Sequence, residues 1–246
     1  MQILDCDFER LVTFVKTKYG INLQDKKFLV ETRLSNYILD CGFRDFADYC
    51  TVLYNDTTGR EVANMINRIT TNHTYFMRET DHFDHFMNVF LANAVKSRSE
   101  SRELAIWSAG CSFGNEPYNL AMCASEYLGP QRYKWDYRIL ATDVSFHALR
   151  NAKNGMYPEQ DLEQLPAGWR EKYFVKKAKG IYQVTDEIRN EVIFKYHNLM
   201  EPIEFTKKFD LILCRNVMIY FDEQTKSRLC KRFYDASAEG GYLYIR

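Results

Sequence analysis

Two carboxylates stand where a bound ligand would meet the ends of neighbouring strands. Glu116 follows a loop at 108–114 that is rich in small residues, and Asp143 ends a strand-like segment that begins at Tyr137. In an open parallel sheet, ligands bind beyond the carboxyl ends of the strands. A carboxylate at this place repels phosphate but accepts hydrogen bonds from an amine, and a second carboxylate accepts them from ribose hydroxyls. The pair predicts a phosphate-free nucleoside that carries an amino acid, namely S-adenosylmethionine.

The loop at 108–114 differs from the glycine-rich loops that bind phosphates. Its glycines are Gly110 and Gly114, so the G-x-G-x-x-G pattern is absent, and no Gly-Lys-Ser/Thr follows. The small side chains still allow the backbone to approach a ligand closely. Two plain alternatives stay open: Glu116 as an acid favoured at a helix start, and Asp143 as a turn residue.

These residues need a scaffold of alternating strands and helices. Over the first seventy residues, apolar side chains recur at helical spacing, which predicts a small helical bundle. From Glu103 onward, short apolar segments alternate with helical ones, which is typical of a doubly wound, mainly parallel sheet. Two further segments that turn at Gly180 predict a small antiparallel β insertion at about 173–190. We therefore expect an α/β fold with an N-terminal helical domain at 1–71 and an S-adenosylmethionine-binding domain at 72–246.

Composition narrows the class of protein. Lys+Arg number 33 and Asp+Glu 33, and 46% of the residues are hydrophobic. This balance excludes a wholly disordered chain and argues against general attraction to nucleic acid or membranes. No apolar run approaches the roughly 18 residues of a transmembrane helix, and the acidic N-terminus lacks the features of a secretory signal. We therefore expect a cytoplasmic protein, a monomer, with cysteines in the reduced state.

A metal site is the weaker alternative. His82 and His85, three residues apart on a helix, could share a face and hold a metal ion. No further group of ligands accompanies them, so we expect no metal.

Three segments resemble signature motifs of the CheR-type chemoreceptor methyltransferases. Segment 70–79 reads T-T-N-H-T-Y-F-M-R-E and is similar to the family's T-x-N-x-T-x-F-x-R-[DE]. Segment 107–118, W-S-A-G-C-S-F-G-N-E-P-Y, resembles S-A-x-x-[ST]-[ST]-G-E-E-P-Y, and segment 214–221, C-R-N-V-M-I-Y-F, matches C-R-N-V-x-I-Y-F. The resemblance covers nearly the whole chain. It implies methylation of glutamate side chains on the cytoplasmic helices of chemotaxis receptors, with S-adenosylmethionine as methyl donor and S-adenosylhomocysteine as product.

The resemblance also implies a role for each matching residue. Arg78 would pair with the cofactor carboxylate and Tyr220 would stand near the sulfonium methyl, so these two are the expected catalytic positions. Glu116 would take the α-amino group, Asp143 the ribose, and Asn198 with Leu199 the adenine. The complete set of expected cofactor-binding residues is Asn72, Thr74, Arg78, Gly110, Glu116, Asp143, Asn198, Leu199, Arg215 and Asn216. Simpler roles also fit three members of this set: Thr74 as a helix cap, Leu199 as packing and Arg215 as an ion-pair partner.

The chain departs from the family pattern at several places. Asn115 replaces the first of the two usual acids, and basic residues on the second helix, such as Arg33, are offset by acids, which puts receptor docking through that helix in doubt. The inserted segment at 175–197 is short, which predicts that the receptor's C-terminal pentapeptide is not needed. The family's closing hairpin is not seen before Arg246, so we expect either a truncated chain or an exposed sheet edge.

Other classes remain as alternatives. A catalytically silent cofactor-binding or receptor-binding adaptor of the same fold is the first of them. A small-molecule methyltransferase would need a lid over a compact substrate, whereas a helical N-terminal domain suits a protein helix. A nucleotide-dependent oxidoreductase lacks its glycine pattern.

Overall fold

The N-terminal part of the chain is helical. A computed structural model describes residues 1–70 and 74–246, and its first elements are four helices separated by short loops. Leu11, Leu34 and Leu53, from three of these helices, are fully buried, because apolar side chains three or four residues apart share one helix face. The helices are α1 (Asp5–Tyr19), α2 (Lys27–Asp40), α3 (Phe46–Tyr54) and α4 (Arg60–Ile69).

A parallel sheet of five strands follows within the described residues. Its strands are β1 (Ile106–Ala109), β2 (Ile139–Asp143), β6 (Val192–Tyr196), β7 (Phe209–Cys214) and β8 (Ser237–Ile245). Neighbouring strands pair in parallel, in the order β6-β2-β1-β7-β8. From β1 the chain first builds outward through β2 and β6, and it then returns to place β7 on the other side of β1. The carboxyl ends of β1 and β7 therefore flank the point where a doubly wound sheet binds its ligands.

A second, smaller sheet is antiparallel. Its strands are β3 (Met156–Pro158), β4 (Phe174–Ala178) and β5 (Ile181–Val184), in the order β3-β5-β4. The sequence predicted β4 and β5 but missed β3, because a three-residue strand that ends in proline has almost no alternating pattern. Otherwise the predicted fold class is confirmed. Two strand starts differ from expectation: the strand expected from Leu104 begins at Ile106, and the strand expected from Tyr242 begins at Ser237.

Helices cover both faces of the parallel sheet. One buried apolar cluster joins the N-terminal helices to the sheet through Trp107 and Ile212, and a second joins the other face to Leu120 and Phe86. A π-helix at Phe86–Leu91 and 3-10 turns at Gly129–Lys134, Glu159–Leu162 and Met218–Tyr220 supplement the longer helices. The remaining helices are α5 (Thr80–His85), α6 (Ala92–Ser97), α7 (Asn115–Leu128), α8 (Phe146–Asn154), α9 (Trp169–Tyr173), α10 (Asp186–Arg189) and α11 (Glu223–Ala236).

Residues 1–70 and 74–246 contain neither a candidate membrane span nor a candidate metal centre. None of the helices there combines the length and the apolar character needed to cross a membrane. Within the same ranges, no cluster of three or more His, Cys, Asp or Glu side chains is arranged to hold a metal ion. His85 instead contacts Tyr244 through Nδ1, 2.6 Å from the tyrosine hydroxyl, and the His82 ring stacks on the same tyrosine.

Candidate functional site

A cleft opens at the carboxyl ends of β1, β2 and β7, under the N-terminal helices. It encloses about 1110 Å³, including solvent at its mouth. Ile66 and Asn67 of α4 line one wall, so both halves of the chain contribute to it. Asn72 lies outside the described residues. All the other expected site residues line this cleft: Thr74, Arg78, Gly110, Glu116, Asp143, Asn198, Leu199, Arg215, Asn216 and Tyr220.

The loop after β1 forms the floor. Gly110 has φ +89°, and a Cβ placed on it would lie 2.4 Å from Cγ2 of Val217. The backbone N–H groups of Gly110 and Cys111 donate to the carbonyl of Thr142, at 2.8 and 2.9 Å. The loop therefore needs glycine both for its left-handed backbone and for the close approach of Val217.

Substitution of Gly110 tests this close packing. Gly110→Ala is expected to lower the free energy of unfolding by about 2–4 kcal/mol, since backbone strain and a steric clash add together. Gly42→Ala is the matched control: Gly42 has a similar φ of +83°, but a Cβ added to it would meet no atom within 4 Å. Urea denaturation of both variants separates the two effects. Equal losses at the two positions would contradict a packing role for Gly110.

Asp143 ties the ends of two strands together. Its Oδ2 accepts a hydrogen bond from the backbone N–H of Ser112 and its Oδ1 accepts one from that of Ser145, both at 2.8 Å. Ser145 caps α8 and also accepts a hydrogen bond from Asn67 Nδ2 at 2.6 Å, which connects this turn to α4. Burial raises the pKa of Asp143 above its ordinary value, although these backbone hydrogen bonds oppose the shift.

A buried ion network forms the inner wall beside Glu116. Arg215 Nη1 lies 2.9 Å from Glu116 Oε2, and Arg215 Nη2 lies 3.0 Å from Glu79 Oε2. The Arg215 side chain is only 3% exposed, against 15% for Glu116 and 14% for Glu79. Ser108 Oγ donates to the other oxygen of Glu116, at 2.7 Å. One guanidinium thus bridges two nearly buried carboxylates and balances their combined charge only in part.

The carboxylate of Glu79 has further partners besides Arg215. Asn216 Nδ2 donates to it at 3.2 Å, and Arg246 Nη1 lies 2.6 Å from the same oxygen. Burial alone would raise the pKa of Glu79, but hydrogen bonds from Asn216 and Arg215 and the positive charge of Arg215 outweigh it and lower that pKa. Glu79 and Asn216 have φ values of +61° and +58°, in the left-handed region. Such conformations in non-glycine residues concentrate at functional sites.

The remaining walls join the cleft to the N-terminal helices. Asn198 Nδ2 donates to the carbonyl of Lys18 at the end of α1, at 2.8 Å, and the backbone N–H of Asn22 donates to the carbonyl of Tyr220, also at 2.8 Å. Leu199 is 9% exposed and lines the apolar part. The Arg78 side chain is 30% exposed, and its carbonyl accepts a hydrogen bond from Arg215.

This arrangement fits an organic cation with polar ends. The carboxylate of Glu116 can accept hydrogen bonds from an ammonium group, and the carboxylate of Asp143 can accept them from ribose hydroxyls. Apolar side chains such as Ile66, Val144 and Leu199 line the same space. Sequence reasoning missed Asn67 and Asn119, which line the cleft, and also Glu79 and Ser108, which contact its residues Arg215 and Glu116. The signal for Glu79 was its place in the motif at 70–79, which by itself assigns it no role.

The comparisons with known proteins give the family. The family model "CheR methyltransferase, SAM binding domain" matches residues 72–245, and "CheR methyltransferase, all-alpha domain" matches residues 7–70. The chemotaxis protein methyltransferase of Borreliella burgdorferi is 42% identical over 243 residues, covering 97% of this chain and 86% of that protein. A probable chemotaxis protein methyltransferase of Rhizobium etli is 35% identical, with 92% and 85% covered. Chemotaxis protein methyltransferase 2 of Vibrio cholerae is 33% identical, with 99% and 85% covered. With family models matching residues 7–70 and 72–245 and relatives of this name at 33–42% identity, the chain belongs to the CheR methyltransferase family.

Proposed function

We propose that this protein transfers the methyl group of S-adenosylmethionine to glutamate side-chain carboxylates of chemoreceptors. The observation that carries the proposal is the pair of carboxylates, Glu116 and Asp143, at the switch point of the sheet, in a cleft whose expected residues converge. The relatives, which are named chemotaxis protein methyltransferases, support the receptor as the partner. Membership of the family makes the chain an S-adenosylmethionine-dependent methyltransferase of chemotaxis; the glutamate carboxylate as acceptor is the proposed part.

The residue roles in this proposal follow the chemistry of the cleft. Glu116 accepts hydrogen bonds from the amino group of the methyl donor, and Asp143 accepts them from the ribose. Arg78 pairs with the donor's carboxylate. The ring of Tyr220 stands near the sulfonium, where an aromatic face stabilises a cation. Asn198 and Leu199 flank the adenine, and Thr74, Gly110, Arg215 and Asn216 complete the cleft.

The reaction does not require a general base from the protein. S-adenosylmethionine supplies an electrophilic methyl group on a positively charged sulfur. The attacking glutamate is already ionised at neutral pH, so no side chain of the enzyme has to remove a proton. Residues of the cleft position the two reactants in line and exclude water, and such positioning can contribute about 7–11 kcal/mol to lowering the barrier.

The docking surface for the receptor belongs to the same proposal. On α2, Lys27 is paired with Asp5, and Arg33 donates to the carbonyl of Arg68 at 3.3 Å. Because Asp5 neutralises Lys27, we propose that α2 contributes only weakly to the docking of an acidic receptor helix. We also propose that the enzyme is a monomer. Because the antiparallel insertion is compact, we propose further that the enzyme acts without the receptor's C-terminal pentapeptide.

Methyl transfer can be tested directly. The purified protein is incubated with S-adenosylmethionine carrying a tritiated methyl group and with the cytoplasmic fragment of a chemoreceptor. We expect the receptor to be labelled, and alkali to release the label as methanol, because carboxyl methyl esters hydrolyse in base. A receptor fragment with glutamine at the modified glutamates should stay unlabelled. Label that resists alkali would overturn the carboxylate acceptor, and S-adenosylhomocysteine binding without any transfer would favour a silent adaptor.

A further inference from the structure

Asn119 is a buried polar residue that none of the assigned roles uses. It lies on α7, is 0% exposed, and neither its Nδ2 nor its Oδ1 has a hydrogen-bond partner within the described residues. A buried amide without a hydrogen bond is costly to the folded chain. Asn119 also lines the cleft, and its side chain is fully covered by its neighbours.

Asn119 lies about one helical turn along α7 from Glu116. The two residues are three apart on α7 and so share one face of the helix. Nε of Arg215, which contacts Glu116 through Nη1, is likewise buried without a partner within the described residues. Within the one cleft that Glu116 lines, therefore, an amide and a guanidinium N–H both have hydrogen-bonding capacity to spare.

We infer that Asn119 is a further binding residue for the amino-acid end of S-adenosylmethionine. This inference rests on the proposed placement of the donor's amino group beside Glu116. A primary amide can accept a hydrogen bond from an ammonium group through its oxygen and donate one to a carboxylate through its nitrogen. The amino-acid end of the donor presents both groups, so it matches an otherwise unpartnered amide.

Asn115 provides a matched control on the same helix. It is 1% exposed, and both of its amide atoms also lack a partner within the described residues. Unlike Asn119, it is not among the residues that line the cleft. Replacement by leucine removes an unpartnered amide at either position, but only at position 119 does it remove a group that faces the ligand.

The test compares two ligands by calorimetry. S-adenosylhomocysteine has the amino-acid end, and 5′-methylthioadenosine lacks it. We expect Asn119→Leu to weaken S-adenosylhomocysteine about tenfold or more, as for loss of a hydrogen bond to a charged group, and to leave 5′-methylthioadenosine unchanged. Asn115→Leu should change neither affinity. Asn119→Ser, which is smaller and cannot overfill the site, is measured alongside and should show the same selective loss.

The outcomes distinguish the role of Asn119 from the proposed placement of the donor's amino group beside Glu116, on which that role rests. Glu116→Gln should weaken S-adenosylhomocysteine selectively if the amino group lies where we place it. If Glu116→Gln has that effect while both Asn119 variants bind like wild type, the role of Asn119 is wrong and the placement stands. Equal weakening of both ligands by the Asn119 variants would show a merely structural role and also overturn the inference. If Glu116→Gln and the Asn119 variants all bind like wild type, the placement itself fails.

Discussion

Arg215→Met is expected to lower the free energy of unfolding by about 3–5 kcal/mol, the usual cost of removing one partner of a buried ion pair, because it removes the cation that pairs with Glu116 and one of those that pair with Glu79. Arg215 is the group shared by Glu79 and Glu116, whose side chains are 14% and 15% exposed. Methionine keeps much of the apolar volume of the arginine stem, so the loss is mainly electrostatic. Urea denaturation at pH 7 measures it.

The pH dependence follows from the lowered pKa of Glu79. Because this pKa is lower in the folded chain than in the unfolded one, the unfolded state takes up a proton first as pH falls. The stabilisation is therefore complete above the unfolded value, and it is lost as pH falls through the folded value. The difference between wild type and Arg215→Met should accordingly be largest at neutral pH and should shrink as pH falls below about 4.3, the ordinary pKa of glutamate.

An exposed ion pair supplies the control for Arg215. Arg44 pairs with Asp48 one helical turn away, and its side chain is 84% exposed. Arg44→Met should cost at most about 0.5 kcal/mol. If Arg215→Met were as stable as Arg44→Met, the network around Arg215 would have no role in holding the inner wall of the cleft.

The positions of Glu116 and Asp143 in the cleft could be predicted because they depend on the strand and helix pattern around each residue. Glu116 and Asp143 each end a strand-like run or begin a helical one, and parallel strands bring such ends to one edge of the sheet. Both residues line the cleft where that rule places them. Arg215 and Asn216 follow the same logic at the end of β7. Their assigned roles in binding remain predictions.

The contacts between distant segments could not be predicted in this way. Glu79 and Arg215 are 136 residues apart, and Asn198 and Lys18 are 180 apart. No periodicity in the chain encodes such pairs, because they depend on how the N-terminal helices pack against the sheet. A signal did exist for Asn119, a polar residue in the otherwise apolar stretch from Tyr118 to Ala124, but the sequence alone does not show what such a residue faces.

Asp143→Asn is expected to weaken S-adenosylhomocysteine binding about 100-fold, which corresponds to the loss of roughly two hydrogen bonds to a charged group. In the proposed role the carboxylate accepts hydrogen bonds from the ribose while it also accepts those of Ser112 and Ser145. An asparagine of the same size has one accepting oxygen, so one backbone N–H loses its partner and the ribose loses a charged acceptor. Isothermal titration calorimetry measures the change.

Asp56 is the matched control for Asp143. Its Oδ1 accepts a hydrogen bond from the backbone N–H of Thr58 at 2.9 Å, and its Oδ2 accepts them from those of Glu61 and Val62 at 2.7 and 3.3 Å, so both of its oxygens also serve backbone donors. Asp56 is not among the residues that line the cleft. Asp56→Asn should therefore lower stability and leave affinity unchanged. Equal losses of affinity in the two variants would mean that Asp143 acts only through the fold.

The pH profile gives an independent check on the same carboxylate. Since burial raises the pKa of Asp143, this carboxylate becomes protonated at a higher pH than an ordinary aspartate does. A protonated carboxyl is a weaker acceptor for ribose hydroxyls, so acidification should weaken binding to the wild type through this raised pKa. Asparagine does not titrate, and the Asp143→Asn variant should lose that part of the profile. A wild-type profile identical in shape to that of the variant would remove Asp143 from the binding role, because the only group that the substitution neutralises would then have no influence on affinity.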